Sequence, residues 1–96
     1  MSNPMTLLNE VNAETVGDPW EVAVGRPLTF ATFPNGPGTG TVGYEGSLDG
    51  SHWFALWSGG LYVSTTPVKY IRARYSGSTG TGVVTAQALQ SDFSDA

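Results

Sequence analysis

The residues best suited to nucleophilic or acid–base chemistry lie in the segment "SLDGSHW", which contains Ser47, Asp49 and His52. A Ser-His-Asp arrangement would have to use His52, because the chain has no other histidine. The chain also has no cysteine, which excludes thiolate nucleophiles and thiolate metal ligands. Asp49-Gly50 is a typical turn dipeptide, and a histidine just after it is expected to be an exposed strand residue. We therefore expect a protein that is not an enzyme, with no catalytic residue, cofactor or metal.

Two further patterns give little support for catalysis or nucleotide binding. Glu45 and Asp49 are close enough in sequence to form a carboxylate pair, but the turn already explains Asp49. The string "GTGTVG" at 38–43 matches the G-x-G-x-x-G dinucleotide pattern. That chemistry requires a strand before the motif and a helix after it, so that helix amides meet the pyrophosphate. Here "PNGP" precedes the motif and a strand pattern follows, so we predict a loop without a bound nucleotide.

The segment "WFALW" at 53–57 contains no polar residue. In a strand, Trp53, Ala55 and Trp57 would lie on one face, and Phe54 and Leu56 on the other. One set belongs to the core of the domain. The other needs a cover, since a large exposed apolar patch marks a binding surface and Trp residues dominate the energetics of interfaces. The segment therefore predicts an interface with another protein.

A second feature of the predicted interface is its charge. Three of the four basic residues, Lys69, Arg72 and Arg74, fall within six positions, and Arg72 and Arg74 share a strand face with Tyr70. Two interpretations remain open: a solvated outer face with charged edge protection, or a positive stripe that pairs with carboxylates of a partner. The residues predicted to form the interface are Trp53, Phe54, Trp57, Tyr62, Tyr70, Arg72 and Arg74.

Short strands separated by turns position these residues. No segment shows helical periodicity, and Gly and Pro recur throughout. Strand patterns occur at 5–11, 20–24, 28–33, 41–48, 53–57, 61–65, 68–75 and 83–89. The sequence thus predicts an all-β fold, a compact antiparallel β-sandwich or jelly roll of about seven to eight short strands. Residues 1–12 are predicted to be an N-terminal arm or first strand, 13–90 the sandwich domain and 91–96 a flexible tail.

Size and charge exclude several classes of function. The 96-residue chain carries a formal charge of −4, so the positive field that nucleic-acid binding needs is absent. No apolar run is long enough to span a membrane, and the first residues show no signal-peptide pattern, so we expect synthesis in a host cytoplasm. A small core without disulfides is commonly reinforced by oligomerisation.

Two stretches resemble known families. "SLDGSHW", Ser47 to Trp53, followed by "YIR" at 70–72, is similar to a hairpin and a later strand of discoidin-like, galactose-binding jelly rolls. The segment 44–89, with "EGSLDG", "PVKYIRAR" and a Gly/Thr turn before a Val-rich strand, resembles small β-sandwich proteins encoded among tailed-phage virion genes. The second resemblance implies a structural virion component, either a capsid decoration (cement) protein or a small module of a head fibre or tail.

These features together predict a bacteriophage capsid decoration protein that binds the outside of the head and stabilises the shell through protein–protein contacts. The expected partners are the major capsid protein and further copies of the chain itself, as a trimer or dimer. The expected location is the capsid surface of the virion. The alternative is a carbohydrate-binding or host-attachment module of a head fibre or tail, in which Trp53, Trp57 and Tyr62 would bind a glycan.

Overall fold

The computed structural model describes residues 4–23, 27–58, 62–64 and 68–90. Within these ranges the chain forms nine β-strands and no helix, which confirms the predicted all-β class. The strands are β1 Met5–Val11, β2 Thr15–Val16, β3 Trp20–Glu21, β4 Leu28–Asn35, β5 Thr41–Ser47, β6 Trp53–Ser58, β7 Tyr62–Ser64, β8 Tyr70–Ser76 and β9 Val83–Gln90.

The strands form two antiparallel sheets with jelly-roll connections. One sheet has the order β1-β9-β4-β7, and the other has the order β2-β8-β5-β6, with β3 also pairing with β8. Because β2 and β3 pair with the same strand, they share one edge position, so each sheet has four positions across. The chain passes from one sheet to the other at most connections, and the β5–β6 hairpin stays within its sheet. This alternation between two sheets defines a jelly roll, as predicted from the sequence.

The core lies between the sheets and follows the period of two that strands impose. In β8 and β9, buried residues alternate with more exposed ones over the whole strand. At the centre of the core, the rings of Phe30 and Tyr44 pack with their centroids 4.8 Å apart. The buried apolar side chains are Leu7, Leu8, Val22, Leu28, Phe30, Val42, Tyr44, Val68, Ile71, Ala73, Tyr75, Val84, Ala86 and Ala88.

Two glycine-rich loops close one end of the sandwich. The similar strings "GTGTV" at 38–42 and "GTGVV" at 80–84 begin in these loops, which lie against each other. The Thr79 amide donates to the Gly38 carbonyl and the Gly82 amide to the Pro37 carbonyl, both at 2.8 Å. Gly38 has a φ of 74°, and an added Cβ there would collide with Gly80, so both backbones require glycine. As predicted, "GTGTVG" leads into a strand and not into a helix.

Some strand boundaries differ from the prediction. The strand expected at 20–24 is observed only over Trp20–Glu21, with 24 outside the described residues. The strand expected at 61–65 is observed over Tyr62–Ser64, and 61 and 65 lie outside the described residues. The predicted tail, 91–96, also lies outside them. Among the described residues there is no helix of the length and apolarity needed to cross a membrane.

Candidate functional site on the outer face of the β2-β8-β5-β6 sheet

The central strand β8 presents the predicted basic residues to the outer face of its sheet. Ile71, Ala73 and Tyr75 are buried, whereas Tyr70 and Arg72 are half-buried and Arg74 is exposed. The predicted alternation of β8 is therefore confirmed. Its cross-strand neighbours on β5 place Glu45 beside Arg72, and Gly43 beside Arg74.

Arg72 is held by partners within its own sheet. Its Nε donates to Glu45 Oε1 at 2.7 Å, and both side chains are only 19% exposed. The guanidinium carbon lies 4.1 Å from the centroid of the Trp53 ring, which is a close cation–π contact. Because Glu45 neutralises Arg72, the outer face does not carry a continuous positive stripe. Arg74 makes no hydrogen bond or ion pair with any other described residue.

Strand β6 departs from the simple alternation predicted for "WFALW". Its register with β5 shifts between Tyr44 and Glu45: Tyr44 pairs with Trp57, but Glu45 pairs with Ala55. Leu56 is the extra residue of this bulge and packs against the core. Trp53, Ala55 and Trp57 nevertheless remain on the outer face, with Trp53 over Arg72 and with Ala55 and Trp57 beside Arg74, although the bulge makes their spacing irregular.

A groove lies on the outer face where β5, β6 and β8 run side by side, and its volume is about 340 Å³. Gly43 is at its floor, since an added Cβ there would meet no atom within 4 Å. Trp57, which is 42% exposed, and Arg74 both line it. The complete lining is Thr41, Gly43, Tyr44, Glu45, Ala55, Leu56, Trp57, Ser58, Arg74 and Ser76. We call this feature the outer groove.

The segment "SLDGSHW" forms a hydrogen-bonded turn. The Gly50 amide donates to Ser47 Oγ at 2.9 Å, and the amides of Ser51 and His52 donate to Asp49 Oδ1 at 2.8 and 2.9 Å. His52 Nδ1 lies 2.7 Å from Asp49 Oδ2. The backbone amides of His52 and Ser51, with the imidazole, hold the pKa of the Asp49 carboxyl well below its usual range.

This turn geometry differs from a catalytic triad. The Ser47 hydroxyl donates to the Asp49 carboxylate at 3.1 Å, whereas nucleophilic catalysis needs the serine bonded to the imidazole. Ser47 is fully buried and the His52 side chain is exposed, so the two sit in opposite environments. The hydrogen bonds therefore account for all three polar residues as parts of one turn. Among the residues that the structure describes, no group of three His, Cys, Asp or Glu side chains could hold a metal ion.

Large apolar side chains are exposed where β5 passes into β6. Leu48 is 68% exposed and Phe54 is 43% exposed, and the half-buried Trp53 lies between them in sequence. Tyr70 pairs with Ser47 at the same end of the sheet. We call Leu48, Trp53, Phe54 and Tyr70 the hairpin end. The structure thus places Trp53, Phe54 and Tyr70 at this end and Trp57 and Arg74 in the outer groove. Arg72 lies beneath Trp53, and the Tyr62 side chain lies outside what the structure describes.

Sequence reasoning missed three residues of this face. Leu48 was placed at the end of the strand predicted at 41–48, but it falls in the loop after Ser47. Glu45 was not matched with Arg72, because their pairing depends on the register of β5 against β8. Gly43 was overlooked, although a glycine inside an alternating strand pattern is itself a signal for a close approach or an opening.

Comparison with known proteins identifies the fold and no family. No family model matches the sequence. No curated protein matches it either. Among solved structures, the crystal structure of SPBc2 prophage-derived protein YomS superposes with a TM-score of 0.70 at 13% sequence identity, covering 95% of this chain and 94% of that chain. A phage protein is thus a structural neighbour over nearly the whole length of both chains.

Proposed function

We propose that this protein is a structural component of a bacteriophage virion, a non-enzymatic decoration protein that binds the outside of the capsid. The observation that carries the proposal is the hairpin end: Leu48 and Phe54 expose large apolar side chains where β5 passes into β6. The prophage origin of YomS, whose fold matches over 95% of the chain, supports the phage setting. The resemblance of the segment 44–89 to small phage virion proteins supports it independently.

The hairpin end has features that are typical of protein–protein interfaces. Its aromatic residues resemble the anchors that dominate binding energy in interfaces. The loop that carries Leu48 is fixed by the hydrogen bonds that the side chains of Ser47 and Asp49 accept from backbone amides, so little conformational entropy is lost when it docks. The Arg72–Glu45 pair beneath Trp53 holds the indole in place. The major capsid protein is the proposed partner, and the decoration protein would act on the virion surface.

Self-association would strengthen such binding. A trimer or dimer presents two or more hairpin ends to neighbouring capsomers, and each contact after the first becomes an intramolecular event. Modest affinity for each hairpin end would then suffice to join neighbouring capsid subunits. The shell would gain stability because the bound protein favours the assembled state.

The test uses phage heads that lack this protein. The purified chain is first sized by light scattering and then mixed with such heads, and binding is measured by co-sedimentation. We expect saturable binding that raises the melting temperature of the heads. The hairpin-end variant Phe54→Ser should weaken binding about tenfold or more, the cost of losing one anchor residue.

The matched control is Phe33→Ser, which removes a phenylalanine that is 53% exposed on the other sheet. This variant should bind heads like the wild type. A chain that does not sediment with heads would refute the proposed function. Equal losses from both phenylalanine variants would refute the assignment of the contact to the hairpin end.

A further inference from the structure

Gly43 lies in the central strand β5, and the absence of a side chain there leaves an opening on the outer face of the sheet. The packing of the surrounding residues does not explain why this position is a glycine. It pairs with Arg74 of β8 on one side and with Ser58 of β6 on the other. Its φ lies outside the left-handed region, and a Cβ would meet no atom within 4 Å. Neither backbone conformation nor steric crowding therefore requires glycine here. Glycine inside a strand is destabilising and often marks a position that a ligand approaches closely.

The outer groove above Gly43 combines an aromatic wall with a cation that lacks a counter-charge. Trp57 forms the wall and is partly exposed to solvent. The exposed Arg74 guanidinium has no acidic partner among the described residues. The Glu45 carboxylate also lines the groove, where Arg72 Nε fixes its Oε1. The hydroxyl groups of Thr41, Ser58 and Ser76 also line the groove.

We propose that the outer groove binds an acidic sugar, a pyranose ring that carries a carboxylate, as in the uronic acids. The planar guanidinium of Arg74 can pair with a carboxylate through two parallel hydrogen bonds. The apolar C–H face of the ring would pack on Trp57, and its hydroxyls would bond to the groove hydroxyls and to Glu45. The volume of about 340 Å³ lies at the small end of ligand sites, which suits one or two rings.

The position of the groove favours a compact ligand over an acidic peptide. Extended peptides gain much of their affinity from backbone hydrogen bonds at a free sheet edge. The floor strand β5 has no such edge, since it pairs with β6 on one side and β8 on the other. A ligand at Gly43 must therefore be recognised by side chains. The side chains of the groove offer hydroxyl groups, an aromatic face and one arginine, which are groups that can recognise an acidic sugar.

The proposed sugar site does not depend on capsid binding. Along β5 the outer groove is lined by residues from Thr41 to Glu45, whereas the hairpin end lies beyond them, where β5 ends at Ser47. The two sites can therefore be occupied together. Loss of head binding would leave the sugar site untouched, and absence of sugar binding would leave the hairpin end untouched.

The experiment is a nuclear magnetic resonance titration of the ¹⁵N-labelled chain with sodium glucuronate and sodium galacturonate. Glucose and galactose are the neutral controls, and a blocked Gly-Glu-Gly tripeptide provides a carboxylate without a sugar ring. We expect saturable shifts at Gly43, at the Trp57 indole and at Arg74 Nε. A uronate should bind about tenfold more tightly than its neutral counterpart, the difference expected from one bidentate ion pair.

Two variants test the assignment. Gly43→Val places a branched side chain on the groove floor, where an added Cβ would meet no atom within 4 Å, and should abolish uronate binding while the melting temperature stays the same or rises. Arg74→Gln should remove the preference for uronate over neutral sugar, whereas Lys69→Gln, the same charge change just before β8, should not. The proposal is overturned if uronates give no saturable shift, if Gly43→Val still binds them, or if the tripeptide binds more tightly than the uronates.

Discussion

Two glycines of the same strand should respond in opposite ways to the same substitution. Gly43 and Gly46 both lie in β5, and neither has a positive φ, so alanine is compatible with both backbones. At Gly43 the added methyl group meets no atom within 4 Å. Replacing it by alanine reduces the conformational freedom of the unfolded chain and should stabilise the protein by about 0.5–1 kcal/mol.

At Gly46 the same methyl group has no room. It would lie 2.9 Å from Val68 Cγ1 and 3.1 Å from Leu56 Cδ1, and Val68 is a stiff, buried side chain. Overpacking of this kind costs about 2 kcal/mol, the middle of its usual range. Set against the same backbone gain of about 0.75 kcal/mol, the net effect of Gly46→Ala is a loss on the order of 1 kcal/mol.

Thermal unfolding followed by circular dichroism measures both effects. A change of 1 kcal/mol moves the melting temperature of a domain of this size by about 4–8 °C. Gly43→Ala should therefore raise the melting temperature by about 2–8 °C, and Gly46→Ala should lower it by several degrees. A lower melting temperature for Gly43→Ala, or shifts of the same sign for both variants, would refute the account of the open groove floor.

Three further predictions concern buried or hydrogen-bonded polar groups. Ser47→Ala should cost about 1–3 kcal/mol in urea unfolding, because the Gly50 amide loses its acceptor beside a fully buried position. The pKa of Asp49 is lowered in the folded state, so its stabilisation is complete above pH ~4 and is lost as pH falls towards the folded value. The melting temperature of Asp49→Asn should therefore fall less steeply than that of the wild type as the pH is lowered below ~4. An unchanged dependence on acid pH would contradict the assignment. Burial raises the pKa of Tyr44, so stability is complete below pH ~10 and falls above it. Tyr44→Phe should remove this alkaline loss while costing about 1 kcal/mol at neutral pH, because Thr32 loses a 2.6 Å hydrogen bond. Alkaline unfolding that is identical in the two proteins would contradict it.

Local patterns in the sequence predicted much of the fold. The alternation of "YIRARY" placed Arg72 and Arg74 on one strand face with Tyr70, as observed. The recurrence of turn residues indicated short strands, and their number and spacing indicated a jelly roll. These features are readable because a strand has a fixed period of two and each turn has strong residue preferences.

The site was harder to predict, because it depends on which residues of different strands become neighbours. Glu45 and Arg72 are 27 positions apart, and only the register of β5 against β8 makes them an ion pair. The bulge at Leu56 shifted Trp57 relative to Trp53, and no local residue preference predicts such a bulge. Because Glu45 neutralises Arg72, the positive stripe, one of the two interpretations left open, is not continuous on the outer face.

The sequence alone determined that this is a small all-β domain with an aromatic strand and an Asp-Gly turn, since these properties depend on neighbours along the chain. The tertiary structure decided which of these residues act together. It placed Gly43 between Arg74 and β6, which opened the outer groove, and it left Leu48 and Phe54 exposed at the hairpin end. The physical reason is that strand register and sheet order are set by packing of the whole core, to which distant segments contribute together.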